Sequence, residues 1–219
     1  MIESRDSESV SKCQILIEWS IVIAIADLLC SDVADLTRQG VESAYALIKS
    51  KVKKTPVLTN ESISTIATGS DEIPTTLFFK CENFQKGGAF KIRGATHALE
   101  KLLPEELDNG VITHSSGNHA QALAIAAKAK GVRAYIVMPS NSARPKIEAT
   151  QSYGGHITFS GPTASEREYV TESIRKKTNA RLIPPYDHPH IILGQGTVLL
   201  ELMSQTQAEY GRKLDAVIV

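Results

Sequence analysis

The sequence predicts an α/β fold in which helices cover both faces of parallel sheets. Short β-branched runs alternate with amphipathic or alanine-rich stretches, and proline or glycine marks the ends of many of these stretches. The composition, with 42% hydrophobic and 22% charged residues, is that of a globular protein. Strands that alternate with helices pair in parallel, because each helix returns the chain to the same end of the sheet. The 219 residues suffice for one large or two small domains.

Five short apolar runs, each bounded by turn or polar residues, are the first predicted strands. Runs of three to five residues rich in Val, Ile, Leu and Phe fit strands that are buried on both faces. In chain order they are Leu77–Lys80, Val111–His114, Ala134–Met138, His156–Phe159 and Arg181–Ile183.

The boundaries of the first two predicted helices follow from their terminal residues. One helix extends from Lys91 to Leu103 and stops at Pro104, which cannot continue it. The next extends from Asn118 to Lys130, and Gly131 follows as its C-terminal cap.

Two more helices are predicted from their N-terminal signals. Pro145 suits the first turn of a helix that reaches Tyr153. Ser165 and Glu168 have the spacing of a capping box, which would open a helix toward Lys177.

The end of the chain predicts one helix and one strand. A helix over Gly196–Gln207 would turn one apolar face to the core, with Gly194 and Gly196 as turn or helix-entry glycines. The run Asp215–Val219 is predicted as a buried strand, and the sequence stops within it. The apolar face of the helix comprises Val198, Leu199, Leu202 and Met203.

Charge and cysteine content exclude several classes of protein. The 24 Lys and Arg residues balance the 24 Asp and Glu residues, so we expect neither nucleic acid nor a membrane surface as a partner. Three widely spaced cysteines cannot build a disulfide framework, which favours a cytoplasmic location. His188 and His190 form an H-x-H pair without a nearby acidic cluster, so no metal site is predicted.

Residues 1–40 are interpreted as an N-terminal extension of uncertain nature. The run Ile15–Cys30 is almost continuously apolar, but Glu18 and Asp27 interrupt it, and it is shorter than the roughly 20 residues of a membrane span. Acidic residues stand where a secretory signal needs basic ones. A helix packed on the body, or a non-native extension, is therefore favoured over a membrane anchor.

A lysine-containing loop between a predicted strand and a helix is the first candidate for chemistry. Within Cys81–Gly94, glycines and aromatic residues flank lysine, and a lysine screened from water has a lowered pKa and a reactive free amine. Charge chemistry alone does not decide which of the basic residues Lys91, Lys86 and Arg93 is the functional one. A solvated basic turn before a helix is the competing interpretation, which composition alone favours.

The segment Ser115–Gln121, between a strand and an alanine-rich helix, is the second candidate. Hydroxyl groups, a glycine and free amide N–H groups at a helix N-terminus suit a carboxylate or a phosphate. Simple N-capping of the helix by Ser116 or Asn118 is an equal alternative.

Together the two segments resemble a known family. Phe84–Gly94 is similar to the cofactor-lysine motif of fold-type II pyridoxal-phosphate enzymes, the tryptophan synthase beta-like group, and Ser115–His119 is similar to their loop for the substrate carboxylate and the cofactor ring. The resemblance extends from about Val41 to Val219 and is strongest to serine/threonine dehydratases and serine racemases. Three segments resemble the fungal serine racemase and 3-hydroxyaspartate dehydratase group: Met138–Ser142, Pro184–Pro189 and Gly194–Thr197.

The resemblance implies roles for individual residues. Lys91 would hold pyridoxal 5'-phosphate as an aldimine and then carry the Cα proton, while Phe90 packs beside the cofactor. Asn118 would bond to the ring hydroxyl oxygen, and Ser116 would be the acid/base on the opposite face. The implied substrate-binding residues are Ser115, Ser116, Gly117, Asn118 and His119.

The resemblance also implies a function and a domain organisation. The function is that of an ammonia-lyase (dehydratase), a serine racemase or both, acting on a small hydroxy-amino acid in a homodimer. Serine, threonine and 3-hydroxyaspartate stay open as substrates. Residues 41–103 and 193–219 would form a partial large cofactor domain, and residues 104–192 the small domain.

Three features of the family are expected beyond Val219: its phosphate-binding glycine loop, the residue that hydrogen-bonds the pyridine nitrogen, and the acids that hold a divalent cation. A catalytically inactive fragment or pseudoenzyme is therefore the alternative function. A third hypothesis is an unrelated module that binds a phosphorylated ligand through the Ser115 loop, with Lys91 dispensable.

Overall fold

The structure is a computed structural model that describes residues 36–70 and 74–219. These described residues belong to one compact unit. The apolar run Ile15–Cys30 lies outside the described residues, so its interpretation stays a prediction, as does the division into two domains. Within the described part, no helix is long and apolar enough to cross a membrane.

Eight helices and six strands are described. In chain order they are α1 (Arg38–Ile48), β1 (Val57–Thr59), α2 (Glu61–Thr68), β2 (Phe78–Lys80), α3 (Lys91–Glu100), α4 (Pro104–Leu107), β3 (Val111–His114), α5 (Asn118–Lys130), β4 (Ala134–Pro139), α6 (Arg144–Ser152), β5 (Gly155–Ser160), α7 (Ala164–Thr178), β6 (Arg181–Leu182) and α8 (Pro189–Tyr210), with short 3₁₀ turns at Glu82–Phe84 and Lys86–Gly88.

The predicted parallel sheet is confirmed. Its strand order is β5-β4-β3-β6, and every neighbouring pair is parallel. Side chains alternate between its faces: Val111 and Ile136 pack in the cluster that holds the alanines of α5, whereas Ile112 and Val137 pack with Val170 of α7. Both faces of the central strands are therefore covered, which accounts for their unbroken apolar sequence.

The second sheet differs from the all-parallel expectation. β2 confirms the strand predicted at Leu77–Lys80, but it pairs antiparallel with β1, a strand that the sequence did not reveal. β1 is only three residues long and follows Pro56, so it has too few positions to show a pattern.

The start of α7 corrects the predicted capping box. Thr163, not Ser165, is the N-cap: its hydroxyl accepts the N–H of Glu166 at 3.3 Å, and the Glu166 carboxylate accepts the N–H of Thr163 at 3.0 Å. Thr163 has extended backbone angles (φ −81°, ψ 159°), as an N-cap requires, while Ser165 already lies inside the helix. α5 ends at Gly131 in the left-handed conformation, as predicted.

The last helix corrects two predictions. α8 begins at Pro189, so Gly194 and Gly196 lie inside it rather than in a turn or at its entry. Of the predicted apolar face only Leu202 is buried; Leu199 and Met203 are exposed, because the helix turns Glu201 and Gln205 inward instead.

The end of α3 and the last five residues of the sequence also differ from prediction. α3 ends at Glu100, short of Leu103. Asp215–Val219 forms no strand, and Ile218 is 93% exposed. An extended run becomes a strand only beside a partner, and no strand among residues 36–70 and 74–214 pairs with it.

Candidate active site

A cavity of about 390 Å³ lies where the parallel strand β3 ends, and it brings both candidate segments together. Lys91 reaches it from the first residue of α3, and Ser115, Ser116, Asn118 and His119 reach it from the loop after β3 and the start of α5. Ligands of parallel α/β sheets bind at the carboxyl ends of the strands, so the position fits a substrate site.

The structure distinguishes Lys91 from its basic neighbours. Its Nζ donates to the carbonyl oxygen of Pro185 at 3.1 Å and lies 5.4 Å from the centroid of the Phe90 ring. Burial lowers the pKa of Lys91, which increases the fraction of free amine. Lys86 instead donates to the carbonyl of Lys51, and Arg93 is fully buried in ion pairs.

The loop before α5 has no capping side chain. Gly117 is the N-cap residue, and neither Ser116 nor Asn118 caps the helix, so the simple capping alternative is wrong. The Ser115 hydroxyl accepts the N–H of Gly117 at 3.3 Å, which shapes the loop. The N–H groups of the first helical turn are thus left without a side-chain cap at an edge of the cavity.

His119 is buried and electrically neutral near pH 7. Burial, followed by the charges of Lys91 and His114, lowers the pKa of His119 to about 4. Its Nε2 lies 3.3 Å from the carbonyl oxygen of Ile183, and its buried Nδ1 has no hydrogen-bond partner within the described part of the chain. A neutral ring that donates to a carbonyl through Nε2 carries only a lone pair on Nδ1, so Nδ1 is an acceptor.

Several cavity residues were missed by sequence reasoning. Arg167 and Glu168 contribute from α7, and His114 lies at the end of β3. The buried Nε of Arg167 has no partner among the described residues, and burial together with the Arg167 charge lowers the pKa of His114. α7 carries many charged residues, so nothing in the sequence separated Arg167 from the others.

The H-x-H pair has a structural use at the start of α8. His188 is the N-cap residue, and its Nδ1 accepts the N–H of His190 at 3.3 Å. Across residues 36–70 and 74–219, no group of three or more His, Cys, Asp or Glu side chains is arranged to hold a metal ion.

Residues 48–219 match a protein family described as pyridoxal-phosphate dependent enzyme. The chain is 45% identical over 180 residues to a serine racemase of Arabidopsis thaliana, an alignment that covers 82% of this chain and 51% of the relative. It is 44% identical over 172 residues to an L-threo-3-hydroxyaspartate ammonia-lyase of Saccharomyces cerevisiae, covering 78% and 49%. The chain thus spans about half the length of the curated relatives it matches.

Solved structures show the same relationship. Maize serine racemase superposes with a TM-score of 0.71 at 47% identity, covering 75% of this chain and 48% of that one. The T.th. threonine deaminase superposes with a TM-score of 0.70 at 35% identity, covering 78% and 52%. The predicted fold type and family resemblance are both confirmed.

Proposed function

The chain belongs to the pyridoxal-phosphate-dependent enzyme family, and from this premise we propose that its protein acts on a small hydroxy-amino acid by releasing ammonia, by racemisation, or by both. One observation carries the proposal: Lys91 and the Ser115–His119 loop share a single cavity. The names of the relatives, serine racemase and 3-hydroxyaspartate ammonia-lyase, support the same class of substrate.

The residues around Lys91 fit pyridoxal phosphate. A half-buried amine with a lowered pKa is suited to bond the cofactor aldehyde, and the Phe90 ring lies beside that amine. Asn118, exposed at the cavity edge, supplies an amide for the ring hydroxyl oxygen. When bound, the cofactor supplies a conjugated ring that takes up negative charge from the substrate Cα.

Lys91 and Ser116 divide the proton transfers between them in this proposal. Lys91 removes the Cα proton with its free amine, because burial disfavours the ammonium form. Loss of the β-hydroxyl then gives, after hydrolysis, an oxo acid and ammonia. Return of a proton from the Ser116 hydroxyl on the other face gives the D-amino acid instead.

The substrate carboxylate binds at the start of α5. The hydroxyl groups of Ser115 and Ser116 and the uncapped N–H groups of the first turn are suitable donors. The ring of His119 cannot donate a hydrogen bond to the carboxylate, because its Nδ1 is an acceptor. His119 therefore binds the carboxylate through its backbone N–H.

Arg167 favours one substrate among the three. Arg167 lines the cavity, where its positive charge acts on His114, and its buried Nε has no hydrogen-bond partner in the described part of the chain. A second carboxylate on the substrate would pair with the guanidinium charge. We therefore favour 3-hydroxyaspartate over serine and threonine.

The test is covalent labelling. Pyridoxal phosphate is added to the purified chain, visible absorbance is recorded, and borohydride reduction is followed by peptide mapping. We expect the label on Lys91, unchanged in K86R, which alters a neighbouring lysine of the same loop. A label on another lysine refutes the site.

Activity is measured separately. Release of ammonia from L-serine, L-threonine or 3-hydroxyaspartate by the 219-residue chain would exclude the inactive alternative. The phosphorylated-ligand hypothesis gains only if K91A leaves binding of that ligand unchanged. The homodimer and the cytoplasmic location stay predictions.

A further inference from the structure

A cluster of buried ion pairs surrounds Arg93 in the first turn of α3, and none of its residues lines the cavity. We call it the Arg93 network; it comprises Lys80, Glu82, Arg93 and Glu201. Arg93 bonds Glu82 through Nε (2.9 Å) and one terminal nitrogen (2.8 Å), and it bonds both oxygens of Glu201 at 3.0 and 2.8 Å. Lys80 donates to Glu201 at 2.9 Å.

The network is charge-balanced and shielded from water. Its two cations match its two carboxylates, and the Arg93 and Glu201 side chains are 0% and 2% exposed. Burial alone would raise the pKa of Glu201, but hydrogen bonds and charges from Arg93 and Lys80 lower it, so the carboxylate stays charged.

Stability alone does not account for such a network. The desolvation cost of buried ions can exceed their mutual attraction, and well-packed apolar side chains often hold elements together equally well. Bidentate pairs differ from apolar contacts in being directional, because both oxygens of each carboxylate must lie near the guanidinium plane, opposite its N–H groups. The network therefore fixes orientation between α3 and α8.

Orientation matters here because Lys91 lies two residues before Arg93. At 100° per residue, side chains two positions apart point to nearly opposite sides of a helix. Fixing Arg93 against α8 consequently fixes the direction of Lys91 toward the cavity. Local capping gives no such support, since the N-cap residue Phe90 makes no side-chain capping bond.

A second contact holds the same turn. The N–H of Gly94 donates to the side-chain oxygen of Gln195 on α8 at 3.2 Å. Thr197 of α8 also accepts from Arg93 at 3.3 Å. The start of α3 is thus set by α8, which lies about a hundred residues further along the chain.

We propose that Glu201 is a positioning residue: by binding Arg93 it fixes the first turn of α3 and thereby the place of the Lys91 amine in the cavity. The inference rests on the proposed role of Lys91 as the cofactor lysine. Glu201 itself does not line the cavity, so it acts only through Arg93.

The test measures the reactivity of the Lys91 amine in E201Q. The purified chain is treated with pyridoxal phosphate over a range of pH, reduced with borohydride and mapped, and the Lys91 labelling rate is divided by that of exposed Lys146. We expect this ratio to fall about tenfold or more, since small misplacements of reacting groups are costly. The pH profile of the Lys91 label should shift as well.

E100Q is the matched control. It makes the same chemical change at the other end of α3, where Glu100 is paired with Lys51 and Lys130. Thermal unfolding of both variants is recorded alongside. E100Q should lower the midpoint but leave the Lys91 ratio unchanged.

The outcomes are separable. Failure of the wild-type chain to label at Lys91 refutes the proposed function. Labelling at Lys91 with the same ratio and pH profile in E201Q overturns the positioning role, whatever the change in stability. If E201Q does not fold, T197V replaces it: removing one acceptor of Arg93 should lower the ratio about twofold, and an unchanged ratio overturns the inference.

Discussion

Replacing Gly194 by alanine tests how closely α8 and α3 pack. A Cβ at Gly194 would lie 2.6 Å from the Cα of Gly94 and 2.7 Å from the carbonyl oxygen of Arg93. Carbon atoms in contact are normally about 3.5–4.0 Å apart. Because both obstacles are backbone atoms of α3, no side-chain rotation relieves them, and the helices must separate by about 1 Å.

The size of the effect follows from two opposing contributions. Alanine gains about 1 kcal/mol over glycine in a helix interior. Overpacking against atoms that cannot move aside costs about 1–3 kcal/mol or more. Gly196 gives the matched control, since the three atoms nearest to a Cβ there all belong to the Val41 side chain, the closest at 2.9 Å, and none is a backbone atom. We expect G194A to be less stable than G196A by about 2 kcal/mol.

The assay is urea and thermal unfolding of the wild-type chain, G194A and G196A. A difference of about 2 kcal/mol corresponds to a melting temperature roughly 4–8 °C lower for a chain of this size. G194A should also label less at Lys91, because α3 is displaced. Equal stability of G194A and G196A would refute the close packing of the two helices.

Three further predictions follow from the cavity. R167M should lower kcat/KM for 3-hydroxyaspartate about tenfold or more while changing that for L-serine little; equal losses on both substrates would contradict the role of Arg167. When the pH is varied, the labelling rate of Lys91 should reach half its maximum at a pH below the usual lysine pKa of about 10.4. A midpoint at or above that pH contradicts the lowered pKa. His119 has a pKa of about 4 in the folded chain and about 6.5 when unfolded, so the unfolded state binds more protons between these values. The free energy of unfolding should therefore fall by roughly 3 kcal/mol as the pH drops from 6.5 to 4, and urea titrations should show a smaller fall in H119Q.

Local signals in the sequence predicted much of the four-stranded parallel sheet and of the helices that pack on it. Gly131 was predicted as a cap because a helix end needs a left-handed residue, and it has φ 71° and ψ 21°. The parallel strands were predicted because unbroken apolar runs are typical of strands covered on both faces. The antiparallel pairing of β1 with β2 was not predicted, because β1 has only three residues and is too short to show a periodic pattern.

Glu201 shows what the sequence could not reveal. It lies on a helix whose local pattern favoured a face of Val and Leu, yet it is 3% exposed while Leu199 is 39% exposed. Its burial depends on Lys80 and Arg93, which are 121 and 108 residues away along the chain. A hydrophobic periodicity takes account only of residues on the same helix. It therefore predicts that a carboxylate such as Glu201 is exposed, even where distant residues pair with it in the core.

The position of Lys91 on its helix connects the fold to the reactivity of its amine. Burial is the main cause of its lowered pKa, and Lys91 is also the first residue of α3, where the helix dipole places partial positive charge. The first turn of α3 carries no acidic residue to offset that charge, unlike α2 with Glu61 and α7 with Glu166. Arg93 would add a further positive charge, but Glu82 and Glu201 neutralise it. Burial thus disfavours the ammonium, while in our proposal the Arg93 network holds the amine in place with no net charge of its own.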